Sequence, residues 1–137
     1  MARSSVLAWL RIFRVFQKID RMSDVHLRTW GLSTAQFDVL AHVGAAKGIT
    51  QQELADRLLV TKGNISQLLD RMEKMGWLQR CQERRSNSLS LTEKGQELYE
   101  RVVPAQEDMI ATKFHGLSTA EISTLLGLLR KLDHSLE

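Results

Sequence analysis

Cysteine and proline each occur once in this chain of 137 residues. The lone Cys81 excludes an intramolecular disulfide. The four histidines (His26, His42, His115 and His134) lack the close spacing of a metal site, so no metal ligand is assigned. Pro104 and only eight glycines leave few backbone breaks, which favours long helices with short connections. No apolar run approaches the ~20 residues of a membrane span, and the first residues carry no continuous signal-peptide core. A soluble cytoplasmic protein with no membrane partner is expected. Also missing are HExxH, a phosphate-binding glycine loop, GxSxG and any nucleophile–base pair close in sequence. No catalytic residue and no cofactor is assigned, and an enzyme is not expected.

What is present is apolar: 43% of residues are hydrophobic, ample for the core of one domain. Net charge is only +3, but its distribution is uneven. Residues 1–30 carry six Lys/Arg against two acids, residues 61–85 six against three, and residues 86–137 five against eight. Such a pattern gives either one positive face or ordinary solvated helix surfaces.

Apolar periodicity divides the chain into elements. Val6, Leu7, Leu10, Phe13, Phe16, Ile19 and Met22 keep helical spacing over residues 5–29. Gly31 closes that helix, and Ser33 with Gln36 forms a capping box for the next. Thr50 with Glu53 opens a third, short helix. The fourth follows at "VTKGNISQLLDRM", with Thr61 as N-cap and Gly76 as a left-handed stop. "WLQRC" and "NSLSL" then alternate apolar and polar residues around the charged tip "QERRS", the pattern of a β-hairpin. Thr92 caps a fifth helix containing Pro104, which allows a kink. Ser118 with Glu121 opens a leucine-rich sixth.

The expected fold is mainly α: a winged helix-turn-helix with a two-stranded β-hairpin wing, flanked by N- and C-terminal helices. In such an architecture the second helix of the pair enters the DNA major groove. The fourth helix suits that task. Ile65, Leu68, Leu69 and Met72 face inward, while Thr61, Lys62, Gly63, Ser66 and Gln67 present short or hydrogen-bonding groups that can read base edges or hold a phosphate. Gly63 removes a side chain that would keep the sugar-phosphate chain away. At the wing tip, Arg84 or Arg85 can enter a narrow minor groove, and the other is expected to pair with Asp70 and tether the wing.

"ITQQELADRLLVTKGNISQLLDRMEKMGWLQR" and "ERRSNSLSLTEKG" resemble the MarR family of bacterial transcription regulators, and the resemblance extends over essentially the whole chain. It implies a homodimer that binds double-stranded DNA at a pseudo-palindromic operator, usually as a repressor, and often releases it on binding a small phenolic or lipophilic effector. By position, the family's groove-facing residues fall on Thr61, Lys62, Gly63, Asn64, Ser66, Gln67 and Arg71, and its wing arginines on Arg84 and Arg85. The sequence departs from the family in a short wing without the usual Asp-Pro stretch, and in Glu83 where an aspartate normally precedes the arginines.

On this reading residues 1–137 form one domain, with 1–30 and 96–137 as dimerisation helices and 31–95 as the DNA-binding core. The terminal helices are more apolar than a small domain's outer helices need to be, which a second copy of the chain explains and a monomeric helical core explains less well. Phe13, Phe16, Trp30 and His42, with Trp9 and Phe37, are candidates to line an effector pocket, although aromatics at helical spacing more often form core than pocket. Two alternatives remain: a winged-helix module that binds protein rather than DNA, and a redox-sensing repressor using Cys81. Cys81 has basic neighbours, one requirement of a reactive thiol, but a half-buried strand cysteine fits its position as well.

Overall fold

The computed structural model describes residues 2–58, 65–83 and 86–137. The chain runs α1 (Ala2–Thr29), α2 (Thr34–Ala45), α3 (Gln51–Arg57), α4 (Ile65–Lys74), β1 (Leu78–Glu83), β2 (Ser86–Leu91), α5 (Glu93–Thr112) and α6 (Thr119–Ser135). This is the mainly helical winged architecture that the sequence implies. The three capping boxes form as expected, at Ser33/Gln36, Thr50/Glu53 and Ser118/Glu121, and Thr92 caps α5. Each box satisfies two N–H groups that a helix start otherwise leaves open. The expected N-cap Thr61 lies outside the described residues. Helix α5 continues through Pro104.

Gly76 ends α4 with a φ of 81°, and the Trp77 amide returns to the Met72 carbonyl at 3.1 Å, the pattern of a left-handed helix stop. The strands pair antiparallel, with Leu78 opposite Leu91 and Arg80 opposite Leu89. One contact was not legible in the pattern. The Leu89 amide donates to the Ile49 carbonyl at 2.8 Å and Thr50 bridges to Ser88, so β2 is fastened to the segment before α3.

The core gathers Val39, Leu40 and Val43 of α2, Leu54 of α3, Leu69 and Met72 of α4, and Leu78 and Leu89 of the hairpin. Helix α1 adds Leu27 from its last turns and α5 adds Val102, while α6 buries nothing. Most apolar side chains of α1 and α6 therefore remain exposed, among them Val6, Leu7, Leu10, Phe13, Phe16, Leu126, Leu128 and Leu132.

The start of α5 closes the core from the side. Thr92 accepts from the Gly95 amide at 3.0 Å and donates its hydroxyl to the Gly76 carbonyl, and its own amide donates to the Trp77 carbonyl at 3.1 Å. A Cβ at Gly95 would lie 2.8 Å from the Trp77 carbonyl carbon and closer still to its oxygen. Gly95→Ala should therefore lower stability by about 1–3 kcal/mol, read as a lower urea midpoint with an unchanged slope, because overpacking against backbone outweighs alanine's gain in helix propensity. A midpoint at or above that of the parent protein would contradict this packing.

Candidate nucleic-acid interface and adjoining cleft

Helix α4 has two faces of opposite character. Leu69 and Met72 are fully buried and Ile65 and Leu68 half-buried, while Ser66, Gln67, Asp70, Arg71 and Lys74 are exposed. Gln67, Arg71 and Lys74 follow at spacings of four and three and so line one outward stripe. Ser66 and Asp70 form a second line, turned toward the hairpin. Among the residues expected to meet DNA, Ser66, Gln67 and Arg71 thus lie on one accessible surface. Thr61, Lys62, Gly63, Asn64, Arg84 and Arg85 fall outside the described residues.

Among the described residues the wing is tied to α4 by a partner that the sequence does not suggest. Asp70 pairs with Arg80 of β1, Nη1 to Oδ1 at 2.9 Å. The same Nη1 lies 3.3 Å from Glu73 Oε1, and Nη2 donates to the Ser66 carbonyl at 3.2 Å. Period-2 alternation explains the choice: Arg80 shares a strand face with Leu78, so its side chain projects toward α4 rather than toward solvent. Because guanidinium donors are arranged as a planar fork, one side chain binds the first-turn carbonyl and two carboxylates at once. Gln51 of α3 adds a second tie, its amide donating to Ser66 Oγ at 3.0 Å. Arg80 and Gln51 were missed in the sequence, where nothing distinguishes them from other surface polar residues.

The capping box of α3 has an electrostatic consequence. The Thr50 backbone amide, and then its hydroxyl, hold the Glu53 carboxyl below its ordinary range. Cys81, on the strand face opposite to Arg80, is exposed rather than half-buried, and sits across from Ser88.

Between α1, α2 and α5 opens a cleft of about 620 Å³. Its walls carry Phe16, Phe37 and Phe114 with Ile19 and Ile110, and its polar groups are Asp20, Ser23, Thr34, Asp38 and Gln106. Of the six candidates for a pocket, Phe16 and Phe37 line it. Phe13 lies nearly a turn further toward the N-terminus, tilted against Trp9 with ring centroids 6.2 Å apart. Trp30, beyond the end of α1, packs on the core beneath the Arg101 guanidinium, 5.7 Å from the ring centroid. His42 turns back along α2, its Nδ1 2.7 Å from the Asp38 carbonyl oxygen.

Two polar features of the cleft escaped the apolar pattern. In the first, the Trp30 indole N–H donates to His26 Nε2 at 3.4 Å, and His26 Nδ1 lies 2.7 Å from Gln106 Oε1. Gln106 in turn donates its amide to Ser23 Oγ. The indole can only donate, so this chain of bonds requires the His26 tautomer with its proton on Nδ1 and fixes the orientation of the Gln106 amide. In the second, Asp38 Oδ2 is buried with no hydrogen-bond partner among the described residues. Burial pushes the Asp38 carboxyl above its ordinary range and Asp20 adds to this, while His42 opposes it. Among the described residues, no group of His, Cys, Asp or Glu is arranged to hold a metal, and no helix is long and apolar enough to cross a membrane.

The tie between wing and helix can be measured in a double-mutant cycle on urea stability. Asp70→Ala and Arg80→Ala should couple by about 0.5 kcal/mol, the size for a partly exposed pair, whereas Asp70→Ala combined with Arg84→Ala or Arg85→Ala should be additive. Coupling to a tip arginine, with additivity at Arg80, would return the tether to the tip.

Known proteins share both sequence and shape with this chain. A MarR family sequence model matches residues 30–86. An HTH-type transcriptional regulator of Bacillus cereus is 42% identical over 120 residues, covering 88% of this chain and 82% of that protein. The MepR–DNA complex of Staphylococcus aureus superposes with a TM-score of 0.80 at 25% identity, over 93% of this chain and 97% of that one. A MarR family regulator of Listeria monocytogenes, bound to a 26mer DNA, gives 0.80 at 27% identity, over 93% and 87%. With its exposed polar helix face braced by a β-hairpin, and with these relatives, the chain belongs to the MarR family and is a non-enzymatic, DNA-binding transcription regulator.

Proposed function

We propose that the protein works as a homodimeric repressor in the cytoplasm, bound to a pseudo-palindromic operator and released from it by a small molecule. The observation that carries this reading is the uncovered apolar surface of α1 and α6. Within one chain these helices expose Val6, Leu7, Trp9, Leu10 and Phe13 at one end, and Leu126, Leu128, Leu129 and Leu132 at the other. An apolar surface of that extent is unfavourable in water, and a self-complementary contact between two copies removes it. Residues 1–30 and 96–137 then serve dimerisation, and residues 31–95 read DNA.

Two-fold pairing sets two copies of α4 about one DNA turn apart, ~34 Å, on adjacent half-sites. Gln67 reads a base edge, Arg71 and Lys62 meet phosphates, and Thr61, Gly63, Asn64 and Ser66 shape the close approach. Arg84 and Arg85 follow the minor groove, and a dimer seated this way blocks access to the DNA beneath it. The cleft adjoins both α1, on the dimer side, and α2, on the reading side. A ligand wedged there alters the separation of the two α4 helices, and release follows from lost register. The polar outer face of α4 favours DNA over a protein as the docking partner.

Leu128→Asp should convert the dimer to a monomer in analytical ultracentrifugation and abolish operator binding at the concentrations where the parent protein binds. A monomeric parent protein would refute the assembly. Gel shifts on the DNA upstream of the protein's own coding region, taken across a salt series, address the reading face. Lys62→Ala should reduce the salt slope by about 1 on every sequence. Gln67→Ala should relax discrimination at one position by roughly 1–3 kcal/mol. Equal losses on specific and random DNA for both variants would remove Gln67 as a base reader.

A further inference from the structure

We propose that the α1–α2–α5 cleft takes a lipophilic organic cation, with its charge on Asp38 and Asp20 and its apolar body among Phe16, Phe37 and Phe114. The proposal rests on the reading of this cleft as the effector site and specifies the class of ligand. Among the described residues, the charged groups lining the cleft are Asp20 and Asp38 alone, and no Lys, Arg or His lines it. Arg21 lines the neighbouring shallow groove together with Asp20 and Asp24, so it offsets Asp20 from outside but stands apart from Asp38. His42 lies behind Asp38 on the same helix, with its Nδ1 turned to the Asp38 carbonyl oxygen. Asp38 is in no ion pair among the described residues, and its buried Oδ2 has no hydrogen-bond partner there.

That combination discriminates between ligand charges. A phenolate or carboxylate would be desolvated beside two carboxyl groups with no cation to meet it, which is costly. A neutral apolar ligand would leave Asp38 Oδ2 unpaired. A cation supplies the missing countercharge, and the face of an aromatic ring attracts the same sign. Ser23, Thr34 and Gln106 add uncharged polar groups suited to orientation.

Isothermal titration of the full chain with tetraphenylphosphonium, and with tetraphenylborate as its near-isosteric anion, tests the assignment. Tetraphenylphosphonium should bind the parent protein more tightly than tetraphenylborate. Asp38→Asn should weaken the cation at least about tenfold and leave the anion unchanged or tighter, with Asp38→Glu retaining most of the cation affinity. Asp20→Asn, on an exposed helix face, gives an independent variant with a smaller loss, about threefold. The proposal is overturned by tighter binding of the borate, by no binding of the phosphonium, or by unchanged phosphonium affinity in a folded Asp38→Asn protein. Gel shifts with the same probes and with salicylate separate the two readings. Cation binding through Asp38 without loss of the DNA complex removes the effector role and leaves the cation site. Release by salicylate, with no phosphonium binding, removes the cation site and leaves the effector role.

Discussion

Leu69 and Met72 lose all contact with water, and the outward face of α4 depends on that burial. A side chain of this size contributes roughly 1.5–3 kcal/mol when fully buried. Two of them on adjacent turns fix both the depth and the rotation of the helix, because rolling it would expose one and force a polar neighbour inward. Ser66, Gln67 and Arg71 are presented to solvent as a consequence. Leu40 and Val43 of α2, Leu54 of α3 and Leu89 of β2 share the same core, so the reading helix and the wing are set by one set of contacts.

Burial fixes rotation but leaves the wing free to rock, since hydrophobic contact has no direction. Arg80 supplies the direction. By binding the Ser66 carbonyl as well as Asp70 and Glu73, it ties β1 to the first turn and to the middle of α4. The bridge from Ile49 and Thr50 to β2 holds the other strand. These polar ties are individually modest, but they act between elements already brought together by the core, where little conformational freedom is left to lose.

The terminal helices obey a different balance. Helix α1 contributes Leu27 to the core and α6 buries nothing, and both leave most of their apolar length uncovered, so their stability as placed depends on association. The cleft lies where α1 meets α2 and α5. Its lining is imperfect as a core, with a partnerless carboxyl oxygen and a Ser23–Gln106–His26–Trp30 chain of hydrogen bonds in place of packed methyl groups. Native interiors seldom keep such features without a use for them. Raising the Asp38 carboxyl above its ordinary range means that its charged form costs the fold stability, a cost absent at pH values below that range and fully present once pH exceeds the raised value.

Helices, caps and hairpin were legible in the sequence because they depend on neighbours three, four or two residues away. Ser33, Thr50, Thr92 and Ser118 announce their helices through bonds that close within one turn, and Gly76 announces a stop through its own backbone. The two faces of α4 were legible for the same reason. Partners distant in sequence were not. The role of Asp70 as a tether is legible, but Arg80 as its partner is not, because sequence adjacency says nothing of which strand residue turns toward α4. Of the aromatics that helical spacing offers for a pocket, Phe16 and Phe37 line the cleft, while Phe114, which it does not offer, joins them from just beyond α5, 98 residues after Phe16. Local periodicity thus determined which elements exist and which face each buries. Only the packing of α1, α2 and α5 decided that Asp38 would be enclosed with phenylalanines, because burial and charge pairing are properties of the assembled neighbourhood and not of any one segment.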